Sequence, residues 1–192
     1  MMNKAKKQDG TAYPLLFSPF AVGALQMKNR LVALPVHTGF AHPDGRVSSW
    51  MLDFYAHLAG SGAGMVVVAN AAVSRDGAVA RHNLRVDRDA FIPGLADLAI
   101  AIKRSGALAC LQLNHAGRFA KTEYPLMPSP ISGSNLSFNV ESLKGYMEFF
   151  PFEKRFNLTR EFLHQAKTWR GSMSDRDRER VIDDFASAAH RA

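Results

Sequence analysis

The sequence predicts an α/β fold built on a parallel sheet, and three observations carry that reading. Three apolar runs, at residues 31–37, 65–70 and 108–115, each end in polar side chains. Helical apolar patterns separate them. Glycines punctuate the joins, at Gly60, Gly62 and Gly64 and again at Gly106. Continuous apolar runs without polar alternation are what strands covered on both faces look like, as in parallel sheets. Regular alternation of strand and helix implies parallel neighbours joined by crossovers.

Taken in order, residues 1–14 read as a flexible, polar tail. The Lys-rich start lacks the apolar core of a signal peptide. After the first strand, Ser49 is a candidate N-cap for a helix whose Trp50, Phe54 and Leu58 fall four apart. The glycines that follow end this helix and open the second strand, Met65-Val66-Val67-Val68-Ala69-Asn70. Leu95, Leu98, Ala99 and Ile102 form the stripe of a second helix, closed by Lys103, Arg104 and Gly106 as a helix C-terminus prefers. The third strand follows, Leu108-Ala109-Cys110-Leu111-Gln112-Leu113-Asn114-His115, with Cys110 expected as a small core residue.

A long excursion interrupts the alternation at about 119–173. Pro125, Pro128 and Pro130 predict an extended first part, and residues 159–170 fit a short helix. Excursions of this length are commonly lids or binding surfaces, and a plain surface elaboration or oligomer contact fits as well. The third helix opens with Ser174-Asp175-Arg176-Asp177, a capping-box-like start, and is expected to bury Val181, Ile182, Phe185, Ala188 and Ala189.

Composition narrows the function. Among 192 residues, 47% are apolar, which suits a globular core, and no run reaches membrane-spanning length. A single cysteine, Cys110, excludes an internal disulfide framework and fits a reducing, cytoplasmic setting. The net charge of +7 is spread out, and the densest stretch, 175–180, alternates in sign. Alternation marks a solvated face rather than a phosphate-tracking stripe, so a nucleic-acid partner is not expected. No Gly-x-Gly-x-x-Gly follows the first strand and no P-loop is present. That counts against a dinucleotide-binding doubly wound domain, although open sheets and closed barrels both fit the element order.

In parallel β/α proteins, ligands meet the C-terminal ends of the strands. Those ends carry His37, Asn70, Gln112, Asn114 and His115, all neutral hydrogen-bonding groups. They supply no carboxylate pair for hydrolysis, no Cys/His spacing for a metal and no Gly-x-Ser-x-Gly nucleophile elbow. A rim of neutral donors and acceptors suits a flat ligand with many polar edge atoms, such as a flavin ring. The plainer reading is that a strand end is simply where polar residues meet water.

Leu16-Phe17-Ser18-Pro19-Phe20-Ala21-Val22-Gly23, then Met27-Lys28-Asn29-Arg30-Leu31-Val32, resembles the opening of Old Yellow Enzyme-type flavoproteins. Pro43-Asp44-Gly45, Gly62-Ala63-Gly64-Met65, Val73-Ser74-Arg75-Asp76-Gly77, Gln112-Leu113-Asn114-His115-Ala116-Gly117-Arg118 and Asp184-Phe185-Ala186-Ser187-Ala188-Ala189 follow in family order. The resemblance implies a partial (β/α)8 TIM barrel with strands 1–3, helices 1–3 and an N-terminal hairpin that caps the barrel floor. Residues 15–192 would be the N-terminal half of an FMN-binding barrel, because a complete one needs roughly 250 residues. Pro35-Val36-His37-Thr38-Gly39 is similar to a segment of the 2,4-dienoyl-CoA reductase-like members.

By this resemblance the backbone of Leu34, Pro35, Val36 and His37 lines the FMN ring, Asn70 sits by its reactive edge, and Gln112 bonds its pyrimidine part. His115 and Arg118 buttress the site or shape the substrate mouth. His37 stands where many members have Thr or Cys, and Asn70 where many have a small residue. The family's substrate-gripping His pair and proton-donating Tyr would lie beyond this chain, and so would the cysteines of any 4Fe-4S cluster. The implied reaction uses NADH or NADPH to reduce the C=C bond of an α,β-unsaturated carbonyl or an enoyl or dienoyl thioester. Two other readings stand beside it: a non-catalytic half barrel that associates with another chain, a homo-oligomer included, and a barrel enzyme without flavin.

Overall fold

The computed structural model describes residues 12–120 and 173–192. Most of the expected tail and of the long excursion, including its proline-rich part and the helix at 159–170, lies outside the described residues. The chain opens with an antiparallel hairpin, β1 (Phe20–Val22) and β2 (Leu25–Met27). A parallel sheet follows: β3 (Val32–Ala33), β4 (Met65–Ala72), β5 (Leu84–Arg85) and β6 (Leu108–Asn114). The helices are α1 (Ser49–Gly60), α2 (Ile92–Lys103) and α3 (Asp175–Arg191).

The strand at the centre of the sheet is β4. Its first residues pair with β3 on one side, its last two pair with β5 on that same side, and β6 runs along the other. All of these pairings are parallel, as the apolar runs predict. Among the described residues the sheet stays open, as expected of a partial barrel.

The hairpin packs at the N-terminal edge of this sheet through the Lys28-Asn29-Arg30 turn. Lys28 Nζ donates to Ser105 O at 2.7 Å, below β6. Asn29 Nδ2 donates to Gly62 O at 2.7 Å, below β4, and Asn29 Oδ1 accepts from Leu31 N–H. A β-carbon on Gly64 would stand 2.5 Å from Asn29 O, so the turn approaches this closely only over glycine.

Burial departs from expectation in four places. The strands are covered on one face rather than two. Val66 and Val68 of β4 are buried and Ala33, Ala109, Leu111 and Leu113 pack on the core, whereas Val32, Leu34, Val36, Cys110 and Gln112 are exposed. Cys110 is therefore no core residue: strand side chains alternate sides, and it shares the open face with Gln112.

In α1 the N-cap is Ser48, not Ser49. Its Oγ accepts from Met51 N–H and donates to Phe40 O. The buried stripe is Met51, Tyr55 and Ala59, while Trp50 is 75% exposed. A one-residue offset rotates a helical stripe by about 100°, so Phe54 and Leu58 survive only as its half-buried flank. In α2 the expected stripe holds at Leu95, Leu98 and Ile102. The capping box of α3 is present, with Ser174 and Asp177 satisfying each other's backbone. Only Ala188 of its expected apolar face is buried. Val181 and Phe185 are partly covered, and Ile182 and Ala189 are exposed, because α3 touches the core along a narrow line.

The register of β4 on β6 slips once. Val68 pairs with Leu111 and Ala71 with Leu113, so Ala69 and Asn70 together oppose Gln112. Two residues against one is a β-bulge. The Tyr55 hydroxyl, reaching from α1, accepts from Ala69 N–H at 3.0 Å. Burial raises the Tyr55 pKa above the ordinary phenol value, so the neutral hydroxyl holds this position. Tyr55→Phe is expected to strand the Ala69 donor in the core and cost about 1–3 kcal/mol. Urea unfolding measures this, and an unchanged midpoint would show that the bulge needs no such support.

Candidate functional site

The expected site residues gather at the C-terminal ends of β3, β4 and β6, three neighbouring strands. Leu34, Val36 and His37 continue from β3 and are exposed, with Pro35 partly covered between them. Asn70 lies in the β4 bulge, opposite Gln112, whose side chain is exposed on the open face. Apolar Leu34 and Val36 thus flank a row of strands that also presents an amide with both a donor and an acceptor.

Asn70 is held by a residue that sequence reading passed over. Asn83, which is 1% exposed, donates through Nδ2 to Asn70 O at 2.6 Å and to Asn70 Oδ1 at 2.9 Å. Its own Oδ1 accepts from Val79 N–H at 2.8 Å. Asn70 is thereby oriented from the β4–β5 connection. Nothing in the local pattern around Asn83 signals this, since a lone Asn before a short strand reads as an ordinary loop residue.

His115 closes the other side. Its side chain is 5% exposed, and Nδ1 accepts from Gly117 N–H at 3.1 Å. The tautomer therefore carries its proton on Nε2, which faces Asp76 Oδ1 at 4.0 Å and has no hydrogen-bond partner among the described residues. Asn114 Nδ2 beside it is likewise buried with no partner among the described residues. A β-carbon on Gly77 would stand 2.5 Å from the His115 ring. Backbone bonds from Val73 N–H to Asn114 O and from Ala116 N–H to Gly77 O stitch the two segments together. Arg180 of α3 completes the cluster, at 2.7 Å from Asp76 and 3.0 Å from Asp184. The Arg118 side chain lies outside the described residues; its backbone belongs to the 3-10 turn Gly117–Phe119.

Charge states follow from these contacts. Burial of Asp76 works to raise its pKa, but hydrogen bonds from Ser74 and Arg180, with the Arg180 charge, bring it below the usual carboxylate value. Burial lowers the His115 pKa, against the pull of Asp76, so this imidazole is neutral at neutral pH. Asp184 is raised by burial despite Arg180.

A cleft of about 1000 Å3 adjoins the strand ends, between the β4–β5 connection and α3. Asn83 and Asp76 belong to its wall; Leu34, His37 and Gln112 do not. Among the described residues no three His, Cys, Asp or Glu side chains cluster as metal ligands. No described helix is long and apolar enough to cross a membrane.

Residues 15–192 match the model of the NADH:flavin oxidoreductase / NADH oxidase family. A metal reductase of Desulforamulus reducens is 40% identical over 121 residues, which cover 61% of this chain and 18% of that protein. The structure of a 2-naphthoyl-CoA reductase complexed with 2-naphthoyl-CoA is 27% identical with a TM-score of 0.55, over 56% of this chain and 16% of the other. Old Yellow Enzyme from Pichia sp. AKU4542 shares the fold over 92% of this chain and 42% of its own, at a TM-score of 0.69 and 20% identity. The chain thus spans less than half the length of these proteins.

The lowered His115 pKa sets a sign for stability against pH. The unfolded chain takes up this proton near the ordinary histidine pKa of about 6.5, the folded chain only at lower pH. In between the unfolded state binds more protons, so stability falls with acidification from that point down to the folded pKa. Asp76 adds its loss only below the ordinary carboxylate value. Chemical unfolding at stepped pH should show a downward slope below about pH 6.5 that His115→Asn flattens; equal slopes would mean that His115 does not carry it.

Proposed function

The chain belongs to the NADH:flavin oxidoreductase / NADH oxidase family, and on that premise we propose that residues 15–192 form the N-terminal, flavin-facing part of an FMN-dependent barrel. The activity is reduction of an electron-poor C=C bond with NADH or NADPH as reductant. The substrate class is an α,β-unsaturated carbonyl compound or an enoyl thioester. The observation that carries this reading is the placement of Leu34 to His37, the Asn70 bulge and Gln112 on three adjacent parallel strand ends. The similarity to a reductase complexed with an aryl-CoA thioester supports the thioester arm.

The residues present fit FMN. Gln112 is exposed where a polar ring edge needs a donor and an acceptor, and Leu34 and Val36 offer apolar surface to a ring face. When bound, FMN supplies the hydride transfer between the nicotinamide and the alkene. The chain's own residues do the positioning. As the family resemblance implies, Gln112 would hold the pyrimidine side, the backbone from Leu34 to His37 would bear the ring, and Asn70, braced by Asn83, would stand near the reactive edge. His115, buried against Gly77, buttresses the end of β6.

Titrating FMN into the purified chain and following flavin fluorescence tests the reading. Saturable quenching is expected. Gln112→Ala should weaken it by one hydrogen bond, about 1 kcal/mol or roughly fivefold in affinity; unchanged affinity removes Gln112 from the site.

A second reading, association of two such sheets, is favoured by the exposure of Val32 (42%), Leu34 (71%) and Val36 (61%) on one open face. Apolar patches of this kind drive assembly. Sedimentation equilibrium separates the two: twice the chain mass, together with no flavin binding by folded protein, would favour association.

A further inference from the structure

The cleft beside the strand ends carries a charge pattern that the flavin reading leaves unused. Arg75, Ala78, Ala80 and Arg81 of the β4–β5 connection form one side, and Arg180 and Asp184 of α3 the other. Its carboxylates are already engaged. Arg85 grips Asp87 through two bonds, at 2.5 and 2.9 Å, and Arg180 is shared between Asp76 and Asp184. Arg75 and Arg81 line the same space and are exposed, and among the described residues no ion pair or side-chain hydrogen bond engages either guanidinium.

Two guanidiniums that line one cleft without an ion-pair partner among the described residues give it an excess of positive charge, which an anion would neutralise. A guanidinium presents a planar fork that matches phosphate oxygens two at a time. Ala78 and Ala80 in the same lining are small, and the volume suits a nucleotide-sized ligand. The cleft also shares walls with the flavin-facing strand ends. Asn83 lines it while bonding Asn70, and Asp76 lines it while facing His115, three residues beyond Gln112. A ligand seated here by one end is therefore beside the reactive strand ends with the other.

We propose that this cleft seats the diphosphate of an extended ligand, with Arg75 and Arg81 as its phosphate-binding residues. NADH or NADPH and a coenzyme A thioester both carry an adenosine-linked diphosphate, so either source fits. The identity of the ligand rests on the flavin oxidoreductase reading; the anion site itself rests on the cleft and its arginines.

The test is calorimetric titration of the full chain, first without flavin, with inorganic pyrophosphate and then with NADPH and with coenzyme A. Pyrophosphate should bind saturably and more weakly as salt rises. Arg75→Gln and Arg81→Gln should each weaken it roughly tenfold, with unchanged circular dichroism because both side chains are exposed. NADPH binding tighter than coenzyme A, with the same arginine dependence, assigns the site to the reductant, and the reverse order assigns it to the thioester. Absence of saturable pyrophosphate binding by folded protein, or equal affinity in both variants, overturns the proposal. So does a loss of FMN affinity in either variant, which would give the arginines to the flavin's own phosphate. Pyrophosphate binding that depends on the arginines, in a chain that does not quench flavin, supports the cleft and sinks the flavin reading instead.

Discussion

Ala69 sits where β4 slips by one residue against β6, and its N–H is taken by the Tyr55 hydroxyl. Much of the site depends on that exchange. A ladder running straight through would continue the strict alternation of sides along β4, and Asn70 would take the side set by Val66 and Val68. The bulge instead puts two residues opposite Gln112 and leaves Asn70 reachable by Asn83 from the next connection. One buried phenol thus couples the first helix to the polar end of the central strand. An unpaired backbone donor in the core is costly, which is why the bulge comes with its own acceptor.

The sheet itself is built asymmetrically. One face receives α1 and α2 through Val66, Val68, Leu98 and Ile102, and that face is the core. The other face presents Val32, Leu34, Val36, Cys110 and Gln112. In a closed parallel barrel both faces are covered, the inner one by layers of side chains from facing strands. The open face here therefore shows the inner layer without its counterpart among the described residues. The same opening that leaves apolar surface uncovered also exposes the Gln112 amide.

Charge holds the periphery together rather than the core. Arg180 joins α3 to the β4–β5 connection through Asp76, and Arg191 joins its other end to Asp89 at 2.6 Å. Exposed pairs contribute little individually, and the half-buried Asp76 is the member that matters, since it also faces His115. The arginine-rich connection between β4 and β5 therefore contacts two regions from one loop. Its Asp76 and Asn83 brace the strand ends, and its Arg75 and Arg81 face the cleft.

By itself the sequence determined the elements and their order: parallel strands from unbroken apolar runs, α2 from its stripe and the α3 start from Ser174 and Asp177. These are local properties, set by side-chain period and capping, and they are legible without neighbours; the hairpin at the barrel floor came from the family resemblance instead. The strand-end candidates His37, Asn70, Gln112 and His115 followed from the rule that ligands meet the C-terminal ends of parallel strands, and family resemblance assigned them their roles. Tertiary structure decided what depends on a partner surface. It turned the buried stripe of α1 from Trp50 to Met51, put Cys110 and Ile182 in the open, and brought Asn83 to Asn70 and Asp76 to His115 across gaps of 13 and 39 residues. Periodicity states which residues share a face, but only packing decides which face meets the core, and only the folded chain brings distant polar atoms within bonding range.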